Sequence, residues 1–200
     1  MVDKEDLKSI VADPSLECII FDFDGVFVSL ETDYPGLKAK LREYARAELG
    51  KDVDFSTLNG GLRTLATDGG RGTVDGAYAI VEEYEARGSR NLRLDQAMLS
   101  ILKAAKSTKK TALFSMNMRA TVRALLEEEG VLDCFDVIVT REDVSRYKPD
   151  PEGIIRIMNE LGVEKSRVLF LGDRSVDAEA GKSAGVRFLM IDASRHGRSD

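Results

Sequence analysis

Apolar residues fall into two patterns along this chain. Short apolar runs occur at Cys18–Phe21, 112–114, Val137–Val139, 168–171 and 186–191, the last interrupted by Arg187. Runs of that length, bounded by polar residues or glycine, read as buried strands. The stripes Leu37, Leu41, Tyr44, Ala45, Leu49, then Ala77, Tyr78, Val81, Tyr84, then Met98, Ile101, Leu102, Ala105 have helical spacing instead. From residue 111 onward strand and helix alternate, with Val122, Leu125, Leu126, then Ile154, Ile155, Ile157, Met158, Leu161, then 176–184 supplying the helices. Alternation of this kind predicts an α/β fold, a doubly wound parallel sheet with helices on both faces. Gly130, Gly162 and Gly185 stand where those helices should stop.

The long helical stretch after the first strand reads as an insertion. The pattern predicts an α/β core from residues 1–29 and 110–200 and an inserted α-helical domain from 30–109. Gly60, Gly61, Gly69, Gly70 and Gly72 punctuate the insertion. None is followed by the Lys-Ser/Thr ending of a phosphate loop, so they read as turns, hinges or caps.

Two hundred residues with 43% apolar content suffice for one substantial core and exclude a disordered or fibrous chain. Twenty-nine basic against 35 acidic residues, net −6, provide no basic stripe for nucleic acid. Cys18 and Cys134 are far apart in apolar surroundings, which predicts two core thiols and a reducing compartment. The first fifteen residues are charged and lack a signal-peptide core, and no apolar run approaches the roughly 20 residues that span a bilayer. The expectation is a cytoplasmic protein with no membrane or nucleic-acid partner.

Chemistry concentrates where strands should end. Asp22 and Asp24 follow the first run; if the extended geometry continues, both lean the same way while Phe23 packs inward. Gly25 then permits a sharp turn. Ser115, Met116 and Asn117 follow the second run, Lys148 precedes Pro149, and Gly172, Asp173 and Asp177 follow the fourth run. Parallel strands bring these segments to one edge. Carboxylates so clustered repel, and a divalent cation removes the conflict. Hard oxygen donors with open positions suit Mg2+ bound together with a phosphate oxygen. The set describes a metal-assisted phosphoryl site.

In these motifs the chain resembles the haloacid dehalogenase superfamily, in its capped, phosphoglycolate-phosphatase-like branch. Asp22 to Val26 is similar to the family's DxDx(T/V), residues 111–115 to its strand ending in Ser or Thr, Lys148 to its lysine, and Gly172, Asp173, Asp177 to its GDxxxD. The resemblance covers the chain in order and implies strand order 5-4-1-2-3, a helical cap and Mg2+. It implies that Asp22 is the nucleophile that becomes an aspartyl phosphate. Asp24 would be the acid that protonates the leaving oxygen and then the base toward water. Ser115, with the amides of Met116 and Asn117 at a helix start, would bind phosphoryl oxygens. Lys148 would neutralise charge on the nucleophile and equatorial oxygens. Metal ligation falls to Asp22, the Asp24 carbonyl and Asp173, with Asp177 holding a metal-bound water or orienting Lys148.

The chain departs from the family at Val26, Ser29 and Leu30, where many members have Thr and an Asp, Ser pair, and at Asn117, which stands one residue later than usual. Arg63, Arg71, Arg87 and Arg90 read first as solvated charges and His196 as a spectator. The leading expectation is a phosphatase acting on a small phosphorylated metabolite. A phosphomutase is the nearest alternative, and a non-enzymatic phosphoacceptor module the alternative outside enzymes. Dehalogenation is disfavoured by the carboxylate at Asp24.

Overall fold

A computed structural model describes residues 4–90 and 92–191, with side chains from residue 7 onward. His196 lies outside them. Five strands, β1 (Cys18–Phe21), β2 (Lys110–Phe114), β3 (Val137–Val139), β4 (Val168–Gly172) and β5 (Arg187–Met190), form one sheet. Every pairing is parallel and the order is β3-β2-β1-β4-β5, the expected order read from the other edge.

Alternation along the strands divides the core between two faces. Ile19, Phe21, Leu113, Leu169 and Leu171 share one buried cluster with Leu7 and Val11 of α1 (Lys4–Val11), with α4 (Gln96–Lys106), and with Val122, Leu125 and Leu126 of α5 (Arg119–Glu128). On the other face Phe114 meets Gly153 of α6 (Glu152–Leu161), and Phe170 meets Gly181 of α7 (Ser175–Ala184). Helices therefore cover both faces, as the strand and helix alternation requires.

The chain divides into two compact units, one formed by the residues up to Leu30 and those after Arg90, the other by Glu31–Arg90. The insertion is thus shorter than 30–109. Its stripe Met98, Ile101, Leu102, Ala105 is helical as predicted, but α4 packs on α1 and β2 and buries those residues in the core cluster. Within Glu31–Arg90, α2 (Tyr34–Leu49) buries Leu37, Leu41 and Ala45. The following α3 (Leu58–Gly88) is broken at Gly70, whose φ of 75° lies outside the helical region. Of the other glycines noted there, Gly60 donates its N–H to the Thr57 cap hydroxyl, and Gly61 lies against the Phe55 ring. No helix of the described residues is long and apolar enough to cross a membrane.

Candidate active site

The parallel sheet aligns the carboxyl ends of β1, β2 and β4, so Asp22, Ser115 and Asp173 each come one residue past a strand at the same edge. Asp22 is held there by its N–H, which donates to the Leu171 carbonyl at 2.8 Å. One carboxylate oxygen from each of Asp22, Asp173 and Asp177 lies within 4.8 Å of the others.

Lys148, whose side chain is 3% exposed, stands between them. Its Nζ donates to Asp22 Oδ1 at 3.0 Å, to Asp177 Oδ1 at 2.9 Å and to the Phe114 carbonyl at 2.9 Å. All three ammonium hydrogens are thereby used. The Phe114 and Phe170 rings lie 4.5 and 5.1 Å away, so the charge also faces two aromatic surfaces. Asp177 is further fixed by the Arg174 N–H, which donates to its Oδ2 at 3.0 Å.

Three carboxylates and one ammonium meet here, and the imbalance is visible in the acidity of Asp22. Burial first, then the Asp177 and Asp173 charges, push the Asp22 carboxyl up to about 8 against the pull of Lys148. Burial disfavours the Lys148 charge as well, but its two carboxylate partners outweigh it and raise its pKa. Lys148 stays charged and the surplus carboxylate yields.

The space beside these oxygens depends on Gly25. Its φ is 88°, and a Cβ there would fall 2.0 Å from Asp173 Oδ2. Only glycine allows the turn after β1 to pass so close to that carboxylate. Hard oxygen donors, a net negative charge and a cleared approach fit a small divalent cation such as Mg2+.

Asp24 is placed differently from expectation. Extended backbone stops at Phe21, and the chain turns so that the Gly25 N–H donates to the Val28 carbonyl. The Asp24 carboxylate accepts from the Leu30 N–H at 2.9 Å and is not one of the three convergent carboxylates. The two acids of the first motif therefore do not lean on one point.

Ser115 is fully buried, with its N–H donating to the Val139 carbonyl at 3.0 Å. Its hydroxyl donates to Asn117 Oδ1 at 2.8 Å and accepts from the Asn117 N–H at 3.1 Å. The helix that follows starts only at Arg119, with Met118 as its N-cap. Ser115 is therefore not the cap, and the Met116 and Asn117 amides belong to a loop before the helix. The Met116 N–H makes no hydrogen bond among the described residues.

Two groups at this edge carried no signal in the sequence reading. One is the Phe114 carbonyl, which any residue type would supply. The other is the 3-10 turn Arg141–Asp143 after β3, whose Arg141 is buried with its guanidinium 5.5 Å from the Tyr147 ring centre, next to Lys148. Among the arginines noted in the insertion, Arg63, Arg71, Arg87 and Arg90 are all exposed, and Arg87 pairs with Glu83.

Sheet order and edge chemistry together define a hydrolase class, and the chain belongs to the haloacid dehalogenase-like hydrolases, whose family model matches residues 19–191. It is similar to a pyrophosphatase PpaX of Halalkalibacterium halodurans, 38% identical over 82 residues that span 41% of this chain and 38% of that protein. It is 26% identical over 179 residues to a phosphoglycolate phosphatase of Aquifex aeolicus, covering 88% and 84% of the two. A solved structure from Bacteroides fragilis, assigned to the haloacid dehalogenase-like hydrolases, matches with a TM-score of 0.63 at 25% identity, covering 89% of this chain and 88% of that one.

Proposed function

We propose that this chain is a Mg2+-dependent phosphatase that hydrolyses a small-molecule phosphate monoester through an aspartyl phosphate on Asp22. The observation that carries the reading is the convergence of Asp22, Asp173 and Asp177 around Lys148 at the strand edge. Relatives named as phosphatases support the reaction class, and their differing names leave the ester open.

Asp22, Asp173 and the Asp24 carbonyl would hold Mg2+, with Asp177 beside them; the ion supplies charge that draws a phosphoryl oxygen to the carboxylates and stabilises the transition state. Asp22 attacks phosphorus as its carboxylate, and the bond from phosphorus to the ester oxygen breaks. Asp24 gives a proton to that departing oxygen, then removes one from the water that attacks the aspartyl phosphate, which restores both acids. Asp24 Oδ1 accepts from the Leu30 N–H at 2.9 Å. The Met116 N–H, the Asn117 amide group and the Ser115 hydroxyl bind phosphoryl oxygens, while Lys148 offsets charge on Asp22 and the transferred group. The inserted unit Glu31–Arg90 is assigned the selection of substrate, as a cap.

The test is phosphate release from a panel of small phosphate esters. Turnover should require Mg2+, vanish with chelator, and fall by at least about a thousandfold in Asp22→Asn, because a nucleophile lost from a covalent mechanism has no substitute. Full activity in that variant overturns the mechanism. Transfer of phosphate to a second hydroxyl without release assigns a mutase instead.

A further inference from the structure

We propose that Glu142 is the positioning residue of the phosphate-binding loop, holding Ser115 to Asn117 in register by capping helix α5 from a neighbouring element. The proposal rests on the phosphatase reading and adds to it a residue that touches neither metal nor substrate. Helix α5 begins at Arg119 after a Met118 N-cap whose side chain makes no capping hydrogen bond. A helix start leaves several N–H groups without partners inside the helix, and a Ser, Thr, Asp or Asn at the cap ordinarily meets one of them. Methionine cannot. The Glu142 carboxylate does so instead, with the Arg119 N–H donating to Oε2 at 2.7 Å.

The geometry of the brace singles out the loop. Its first residue is fixed by the Ser115 N–H on the Val139 carbonyl, and its far end by the Arg119 N–H on Glu142. Both acceptors belong to one short stretch, the end of β3 and the 3-10 turn Arg141–Asp143. The turn is itself hydrogen-bonded back to its own start. The buried Thr140 hydroxyl lies 3.1 Å from Glu142 Oε2 and 3.0 Å from Asp143 Oδ2, and the Thr140 N–H donates to Asp143 Oδ2 at 2.9 Å. Asp143 in turn pairs with the Arg119 side chain at 2.6 Å, and its carbonyl accepts from Arg156 of α6 at 2.6 Å.

Only residues 116–118 lie between the two anchors, so a shift of the helix start moves the Met116 amide and the Asn117 group on which the Ser115 hydroxyl depends. A carboxylate already seated at the helix start also takes the place where a phosphate would otherwise be drawn. Substrate phosphate is thereby left to the loop amides.

The experiment titrates inorganic phosphate into the full chain with Mg2+ present, following the Met116 amide by NMR, and measures KM and kcat on the best ester. Glu142→Ala should weaken phosphate binding and raise KM by about fivefold or more, the scale of a lost cap, with kcat changed less. Glu142→Gln keeps an acceptor oxygen and should restore binding to within about twofold. Asp136→Ala removes a similar carboxylate from the Thr111 N–H at the opposite edge of the sheet, and serves as the control for lost stability alone. Phosphate affinity unchanged in Glu142→Ala, or weakened equally in Asp136→Ala, overturns the proposal while leaving the phosphatase reading intact. Wild-type protein that neither binds phosphate nor releases it from any ester overturns the reading itself.

Discussion

Gly25 and Lys148 show how single residues set this site. At Gly25 a methyl group would meet Asp173 Oδ2 at 2.0 Å with φ at 88°, so Gly25→Ala must either move the carboxylate or strain the turn. A side chain forced to that backbone geometry costs of order 1–3 kcal/mol, and the displaced Asp173 would no longer meet Asp22 and Asp177. We expect Gly25→Ala to unfold at lower denaturant and to lose Mg2+ binding by calorimetry; wild-type affinity would remove Gly25 from the site's design. Lys148 sets its ammonium against both Asp22 and Asp177. Lys148→Met leaves Asp22 and Asp177 buried without it, a loss of about 3–5 kcal/mol for a broken buried pair. Asp22→Asn instead removes the carboxylate that folding must protonate. Without Mg2+ it should melt higher than wild type while being inactive, and a lower melting temperature would contradict the charge imbalance.

Between elements, ion pairs at the opposite edge stabilise without touching the site. Asp136 joins the starts of β2 and β3, accepting from the Thr111 N–H at 2.9 Å while pairing with Lys106 of α4. Burial pushes its pKa up, but the Lys106 ammonium and the Thr111 amide outweigh that and hold it below the usual carboxylate range. Its stabilisation is therefore present above an unfolded value near pH 3.9 and lost as pH falls through the lower folded value. About a third of each partner is in solvent, so Asp136→Asn should cost under about 1 kcal/mol at pH 7. The cost should fade toward pH 2, and a difference that grows on acidification would reverse the assignment. The strands themselves were legible because each is a short apolar run between polar boundaries. Periodicity identified α4 as a helix but could not say which core its apolar stripe joins. The cluster of Asp22, Asp173, Asp177 and Lys148 followed from strand ends in a parallel sheet, whereas Asp24 lies elsewhere because extended backbone ends at Phe21, before the two-residue alternation reaches it. The brace from Glu142 was invisible for a different reason, since its partner is a backbone amide 23 residues earlier.

For the molecule as a whole, the proposed Mg2+ site would couple stability, metal and pH through Asp22. Without the ion, the folded protein holds its proton to about 8, against about 3.9 when unfolded. The folded state thus binds more protons through that window, and the contribution is full below the unfolded value and lost as pH rises through the folded one. Ion-free protein should lose stability from this group between about pH 4 and 8. Mg2+ inverts the trend, because it requires the carboxylate that high pH supplies. At a hundredfold excess over its dissociation constant it should add about 2.7 kcal/mol. Below pH 8 the same concentration is less saturating, and binding should release close to one proton per ion. Calorimetry in buffers of different ionisation enthalpy reads that proton directly, and Asp22→Asn should abolish both the release and the pH trend. Proton release that persists in Asp22→Asn would place the surplus proton elsewhere and overturn the assignment to Asp22.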